Sequence, residues 1–225
     1  MSDQPVDERF QHFLRAAEPF WDDAFSLTRV PLLRKALFYY EELKELQHVP
    51  GDILEFGVYR GTMLCFLDDA NQILDGTNSS RSVIGFDTFS GFPPEEGTSW
   101  QRDQETRAMF RETSVELLRR KIALRPHSRI RLVDGDIRET LPRHAAEWPN
   151  KVAMAICDAD VADVTKAILD VVWDRVSAGG RIYFDEYSRD GWSETVGVDD
   201  FLRERGLPQA LVRRARGMPV AYVQR

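Results

Sequence analysis

Five short apolar segments, each running toward a glycine or a carboxylate, constrain this chain more than any other feature. They are DILEF (52–56), SVIGF (82–86), RIRLV (129–133), VAMAIC (152–157) and RIYF (181–184). Several are nearly continuous in apolar residues, which suits parallel strands covered on both faces rather than strands with one face in water. Segments with helical spacing lie between them at 62–74, 114–124, 137–147 and 163–176. Strand and helix therefore alternate, the pattern of a doubly wound, Rossmann-like α/β fold with a mainly parallel sheet. The C-terminal part differs. A helix near 193–205 precedes QALVRRA and MPVAYVQ, two strand-like runs separated by Arg216-Gly217, a hairpin signal. Five parallel strands plus this pair predict a seven-stranded sheet with an antiparallel C-terminal edge. Ahead of the sheet, PLLRKALFYYEELKELQ (31–47) begins at a proline and sets Leu32, Leu33, Ala36, Leu37, Tyr40, Leu43 and Leu46 at helical spacing. Residues 1–48 then read as an N-terminal helical extension and 49–225 as one ligand-binding domain.

Composition narrows the partners. An apolar content of 43% in 225 residues is enough for one buried core. A net charge of −7 without a Lys/Arg block argues against nucleic acid and against an anionic membrane surface, and points to a small-molecule substrate. A homo-oligomer stays open. Cys65 and Cys157 lie far apart without CxxC spacing, so they read as buried, inert thiols. His12, His48, His127 and His144 show no metal-ligand spacing, and His127 and His144 read as surface residues. No apolar run approaches the roughly 20 residues that span a bilayer, and the polar start MSDQPVDERF makes the cytoplasm the expected location. The polar stretch PPEEGTSWQRDQETR (93–107) is either a solvated loop or a lid that closes over a bound ligand.

The strand ends carry the chemistry. LEFGVYRGT (54–62) puts Glu55, Gly57 and Gly61 at a strand-to-helix turn, with Tyr59 and Thr62 as further candidate ligand contacts. It lacks the GxGxxG spacing of a dinucleotide site, and its acidic residue suits a ligand with a cationic amino-acid end, which favours S-adenosylmethionine over NAD. Asp87 ends the next strand, placed either to accept ribose hydroxyls or to cap a turn. Asp134, Gly135 and Asp136 follow the third strand, where a carboxylate accepts from an adenine amino group or Asp136 caps the following helix. ICDAD (156–160) and YFDEY (183–187) add Asp158, Asp160, Asp185 and Glu186 at one rim. Such a cluster repels itself unless neutralised, and an oxygen-preferring ion such as Mg²⁺ satisfies it; separate strand-end caps in water are the plainer alternative.

The segments GDILEFGVYRGT, GFDTFSGFP, DGDIRETLP, ICDAD and GGRIYFDEY, in this order, resemble the macrocin and mycinamicin sugar O-methyltransferases of antibiotic biosynthesis and related aminocoumarin-pathway enzymes. The resemblance covers roughly residues 49–225. It implies a class I methyltransferase sheet, S-adenosylmethionine as donor, and Mg²⁺-dependent methyl transfer to a sugar hydroxyl. By motif, Glu55 and Gly57 would hold the methionine part of the donor, Asp87 its ribose, and Gly135 and Asp136 its adenine edge. Asp158, Asp185 and Glu186 would bind metal, with Asp158 also bordering the donor, and Asp160 would be the general base. This chain has DAD where the family more usually has DGD, Asp-Glu where it has Asp-Asp, and a short N-terminal portion. Three other readings stand beside this one. A metal-independent N- or carboxyl-methyltransferase would use the same fold, and a donor-binding scaffold would lack turnover. An NAD-dependent sugar oxidoreductase is opposed by the missing third glycine and the absence of a YxxxK pair.

Overall fold

The computed structural model describes residues 6–17, 29–76, 80–91, 110, 113–214 and 217–225. Its elements are α1 (Val6–Ala17), α2 (Val30–Glu45), β1 (Asp52–Phe56), α3 (Thr62–Asp75), β2 (Val83–Asp87), α4 (Val115–Ala123) and β3 (Ile130–Asp134). They continue with α5 (Ile137–Glu147), β4 (Val152–Cys157), α6 (Ala162–Val172), β5 (Val176–Phe184), α7 (Glu194–Glu204), β6 (Leu211–Arg213) and β7 (Ala221–Gln224). The strands form one sheet of seven in the order β3-β2-β1-β4-β5-β7-β6. β1 to β5 pair in parallel, and β7 runs antiparallel to both β5 and β6, as the two short C-terminal runs predict. Within that hairpin Arg216 lies outside the described residues, as do all of residues 93–107.

Alternate strand residues feed two cores. Leu54, Phe56, Ile84 and Phe86 pack with α5, α6 and α7 on one face, while Ile53, Val83, Met154 and Ile156 pack with α2, α3 and α4 on the other. The chain order reverses between β1 and β4, so their C-terminal ends flank the crevice where doubly wound sheets bind ligands. β2 and β3 each run one residue further than their apolar segments, because the ladder extends to the pair Asp87↔Asp134. β5 begins at Val176, five residues ahead of RIYF, and thereby ends the preceding helix at Val172 with a single 3₁₀ turn, Trp173–Arg175.

The inward face of α2 differs from the sequence expectation. Ala36, Tyr39, Leu43 and Leu46 are buried, whereas Leu32, Leu33 and Leu37 are exposed. Leu33 and Leu37 lie off the 36-39-43-46 stripe, and Leu32 sits a turn ahead of its first residue. Tyr39 meets the Tyr183 ring edge-on at 5.6 Å, and the buried Arg81 guanidinium donates to the carbonyls of Leu46, Gln47 and Val49 at 2.8, 2.7 and 2.6 Å. These contacts fix the helix's rotation and satisfy carbonyls at its C-cap and in the turn that follows. His144 is also corrected: it is half-buried between Phe86 and Trp148, with ring centroids 5.4 and 5.6 Å away. Cys157 is buried as expected, while Cys65 is only partly so.

Leu43→Ala is expected to cost roughly 2–5 kcal/mol, the price of a cavity under α2, measured by urea unfolding. A loss under about 0.5 kcal/mol, the size of a surface change, would mean that α2 is peripheral to the core.

Candidate active site

The turn between β1 and α3 is shaped by one close approach. Gly57 has φ +89°, and a Cβ there would overlap the Asp158 carbonyl at the end of β4. Only glycine lets the two strand ends close together. The turn continues through Tyr59, a non-glycine residue at φ +52°, to Gly61 at φ +80°, the N-cap of α3. Asp87 holds it in this form. Its Oδ2 accepts from the backbone N–H of Val58 at 2.7 Å and of Tyr59 at 2.8 Å, and its Oδ1 accepts from Phe89 N–H at 2.6 Å. Burial raises the Asp87 pKa, and these backbone donors pull the other way. Asp87 is thus a turn-organising carboxylate; of its roughly four acceptor sites three are engaged.

A cavity of about 230 Å³ opens beside this turn, lined by Gly57, Tyr59, Asp87, Asp136, Asp158 and Asp160, with Phe110, Ile137, Ala159, Val161 and Val164 as its apolar wall. Six of the sequence candidates therefore meet in one concavity at the switch point. Glu55, Gly61, Thr62 and Gly135 lie outside its wall. Glu55 is buried within β1, Thr62 is exposed on the first turn of α3, and Gly135 donates its N–H to the Asp87 carbonyl at 3.0 Å. Asp136 is the N-cap of α5, accepting from Arg138 N–H at 2.9 Å, and the Arg138 guanidinium holds its carboxyl below the usual range. Of the two readings open for Asp136, the structure shows the cap.

The acid cluster forms where β4 and β5 end. Their register pairs Cys157 with Phe184, so Asp158 and Asp185 follow side by side. Ligand oxygens of Asp158, Asp160 and Glu186 lie within 4.8 Å of one another. Asp185 faces elsewhere: its Oδ2 accepts from the Lys35 ammonium at 2.8 Å, and the same ammonium donates to Asp158 Oδ2 at 2.9 Å. The Asp185 Oδ1 is buried without a partner among the described residues. Glu186 is paired with Arg189 at 2.6 Å, and its backbone N–H donates to the buried Glu194 carboxylate at 3.0 Å. Burial first, then the neighbouring carboxylates, push Asp160 and Glu194 well above the ordinary carboxylate range. Asp185 rises from burial and Asp158, against the pull of Lys35. Asp160 is also held at φ +65°, in left-handed backbone geometry that is sparsely populated outside glycine.

Three converging oxygens on carboxylates match the kind of donor set that a hard divalent cation takes. Their chemistry fits Mg²⁺, with Asp160 beside Asp158 and Glu186 in the converging set, while one oxygen of Asp185 accepts from Lys35. Sequence reasoning missed Lys35, Tyr39 and Glu194. Lys35 stands one helical turn before the fully buried Tyr39, and that spacing was the available signal. Glu194, first residue of α7, has the sequence appearance of an ordinary acid favoured at a helix N-terminus.

A doubly wound sheet with a cavity at its switch point is an architecture that several classes of small-molecule enzyme share, S-adenosylmethionine-dependent methyltransferases among them. Comparison with known proteins narrows this: the chain belongs to the macrocin-O-methyltransferase (TylF) family, whose profile matches residues 33–218. It is similar to mycinamicin III 3''-O-methyltransferase of Micromonospora griseorubida, at 26% identity over 183 residues, 74% of this chain and 70% of that enzyme. It also matches 8-demethyl-8-(2,3-dimethoxy-alpha-L-rhamnosyl)-tetracenomycin-C 4'-O-methyltransferase of Streptomyces olivaceus at 25% identity, covering 84% of this chain and 77% of that enzyme. The crystal structure of CalS11, a calicheamicin methyltransferase, superposes with TM-score 0.75 at 28% identity, covering 99% of this chain and 93% of that one. A separate apo structure describes CalS11 as a TDP-rhamnose 3'-O-methyltransferase. The chain is accordingly an enzyme that methylates small molecules with S-adenosylmethionine. No helix among the described residues is long and apolar enough to cross a membrane.

Glu55 gives a pH prediction. Burial holds its carboxyl well above the usual range, against an opposing pull from Lys35. The folded state therefore keeps a proton that the unfolded chain releases near pH 4.3, and stability is lost as pH rises above that value. Glu55→Gln removes this loss, so the variant's melting temperature should gain on the unaltered protein between pH 5 and pH 8. An equal difference at both pH values would show that Glu55 is not held protonated.

Proposed function

We propose that this enzyme transfers the donor's methyl group to a hydroxyl of a sugar-bearing natural product, with a divalent cation held beside the acceptor. The observation that carries the reading is the convergence of Asp158, Asp160 and Glu186 on one point, two of them in the wall of the cavity. The acceptor class follows the relatives, two of which are described by a rhamnosyl or TDP-rhamnose acceptor.

The residues divide the work. Gly57 and Tyr59 give the donor a closely approachable turn, Asp87 keeps that turn in shape and offers its remaining acceptor site to the ribose, and Ile137 and Val164 give it an apolar wall. Glu55, protonated while the site is empty, lies beneath the turn and would give up its proton to pair with the cationic methionine end, with Gly61, Thr62, Gly135 and Asp136 around the donor's periphery. The donor's sulfonium supplies the electrophilic methyl, so the protein's task is alignment and activation of the nucleophile. A bound Mg²⁺ would lower the acceptor hydroxyl's pKa and orient it. Asp158, Glu186 and one oxygen of Asp160 would hold that ion, and the other oxygen of Asp160, at the cavity wall, would accept the hydroxyl proton. Asp185 neutralises Lys35 and so fixes the helix that borders the acid cluster.

Chelation with EDTA is expected to abolish turnover of a rhamnosylated acceptor while leaving calorimetric binding of S-adenosylhomocysteine intact, and added Mg²⁺ should restore activity. Asp160→Asn should lower kcat by about 10²–10⁴ without comparable loss of S-adenosylhomocysteine affinity. Full turnover in EDTA would discard the metal, and unchanged kcat in Asp160→Asn would discard the base.

A further inference from the structure

We propose that Lys35 is a positioning residue that holds Asp158 in the acid cluster and competes there with the divalent cation, so that metal affinity is set from α2. This rests on the cation reading above and adds the group that opposes it. The Lys35 ammonium bridges Asp158 and Asp185 at 2.9 and 2.8 Å. Asp158 is also one of the three carboxylates that converge on the cation position. One carboxylate thus serves two positive charges. The bridge is not a screened surface pair, because the Lys35 side chain is 17% exposed and that of Asp185 is 0% exposed. An ammonium this close to a dication in half-buried surroundings repels it by several times the thermal energy.

The charge count points the same way. Asp158, Asp160, Asp185, Glu186 and Glu194 bring five negative charges when all are ionised, and Lys35 and Arg189 return two, so the cluster stays acidic enough to draw a divalent ion. Without Lys35 only one is returned, and the pull on a cation is stronger. The helix cannot slip to relieve the competition. Tyr39, one turn beyond Lys35, is fully buried and packs edge-on against Tyr183 of β5 at 5.6 Å, as its neighbour Phe38 does at 5.8 Å. The ammonium is therefore delivered at a fixed place by a segment N-terminal to the sheet.

Mn²⁺ binding to the full chain, followed by calorimetry and electron paramagnetic resonance, tests this. Lys35→Met keeps most of the length of the side chain and removes its charge, and is expected to bind Mn²⁺ at least about tenfold more tightly. Lys35→Arg keeps the charge and should stay within about threefold of the unaltered protein. S-adenosylhomocysteine binding reports that each variant is folded. On the unaltered protein the ¹⁵Nζ resonance of Lys35, one of five lysines, should shift on saturation with Mg²⁺ as the ammonium yields Asp158. If Lys35→Met does not fold, that shift decides alone. Mn²⁺ bound equally by the unaltered protein and Lys35→Met, or an unmoved resonance despite Mg²⁺ binding, overturns the proposal and leaves the cation site standing. No Mn²⁺ binding by any form removes the cation reading and the proposal together.

Discussion

Carboxylate repulsion at the ends of β4 and β5 is the constraint around which the site is arranged. The parallel register that pairs Cys157 with Phe184 puts Asp158 and Asp185 beside each other, and Asp160 and Glu186 follow within the same crevice. A sheet edge of this kind would be costly in an apolar setting. The chain answers with basic groups from two directions: Lys35 comes down from α2, and Arg189 reaches back from the loop after β5. Glu194 adds a further carboxyl but spends one oxygen on the Glu186 backbone N–H, so it orders the loop as it adds to the crowding. The raised pKa values of Asp160, Asp185 and Glu194 all begin with burial and grow with one another's proximity. Such a cluster stores a demand for positive charge, the property a metal-assisted methyl transfer uses.

The donor side is built on a different principle. There the carboxylates are committed to the protein itself: Asp87 to three backbone donors, Asp136 to its helix and Arg138. The cavity beside them is walled by the Gly57 turn and by the apolar side chains of Ile137, Val161 and Val164. Gly57 couples the two sides, since its missing side chain is what brings the β1 turn against the Asp158 backbone. A substitution that widens that gap would misplace donor and acceptor together, and alignment is where most of the catalytic advantage of such an enzyme lies.

The fold was legible because its strongest signals are local and repeated. Buried parallel strands show as apolar runs, and the glycines and acids that close them show as punctuation, so VAMAIC and residues 137–147 match β4 and α5 residue for residue. The rotation of α2 was not legible. Leu33 and Leu37 look as apolar as Leu43 and Leu46, and only the Tyr183 ring and the Arg81 guanidinium, distant in sequence, choose which stripe turns inward. Lys35 was hidden for the same reason, because a charged residue beside a leucine-rich stripe reads as a solvated flank. The candidate site divides similarly. Strand-end logic brought Asp158, Asp160, Asp185 and Glu186 to one rim, but it could not tell which three would face each other, since that depends on which one meets an ammonium.

The ends of the adjacent strands β4 and β5 each carry two acids, and the second two are an Asp-Glu pair. With Asp185 drawn to Lys35, the position that completes the converging set is the next one along, and its oxygens must reach further across the crevice. Glutamate carries one more methylene than aspartate, and Glu186 meets Asp158 and Asp160 with that longer reach. Under the cation reading, the lysine on α2 and the longer acid at the end of β5 belong to one arrangement, in which the ammonium draws an oxygen of the nearer carboxylate and the farther one reaches the ion.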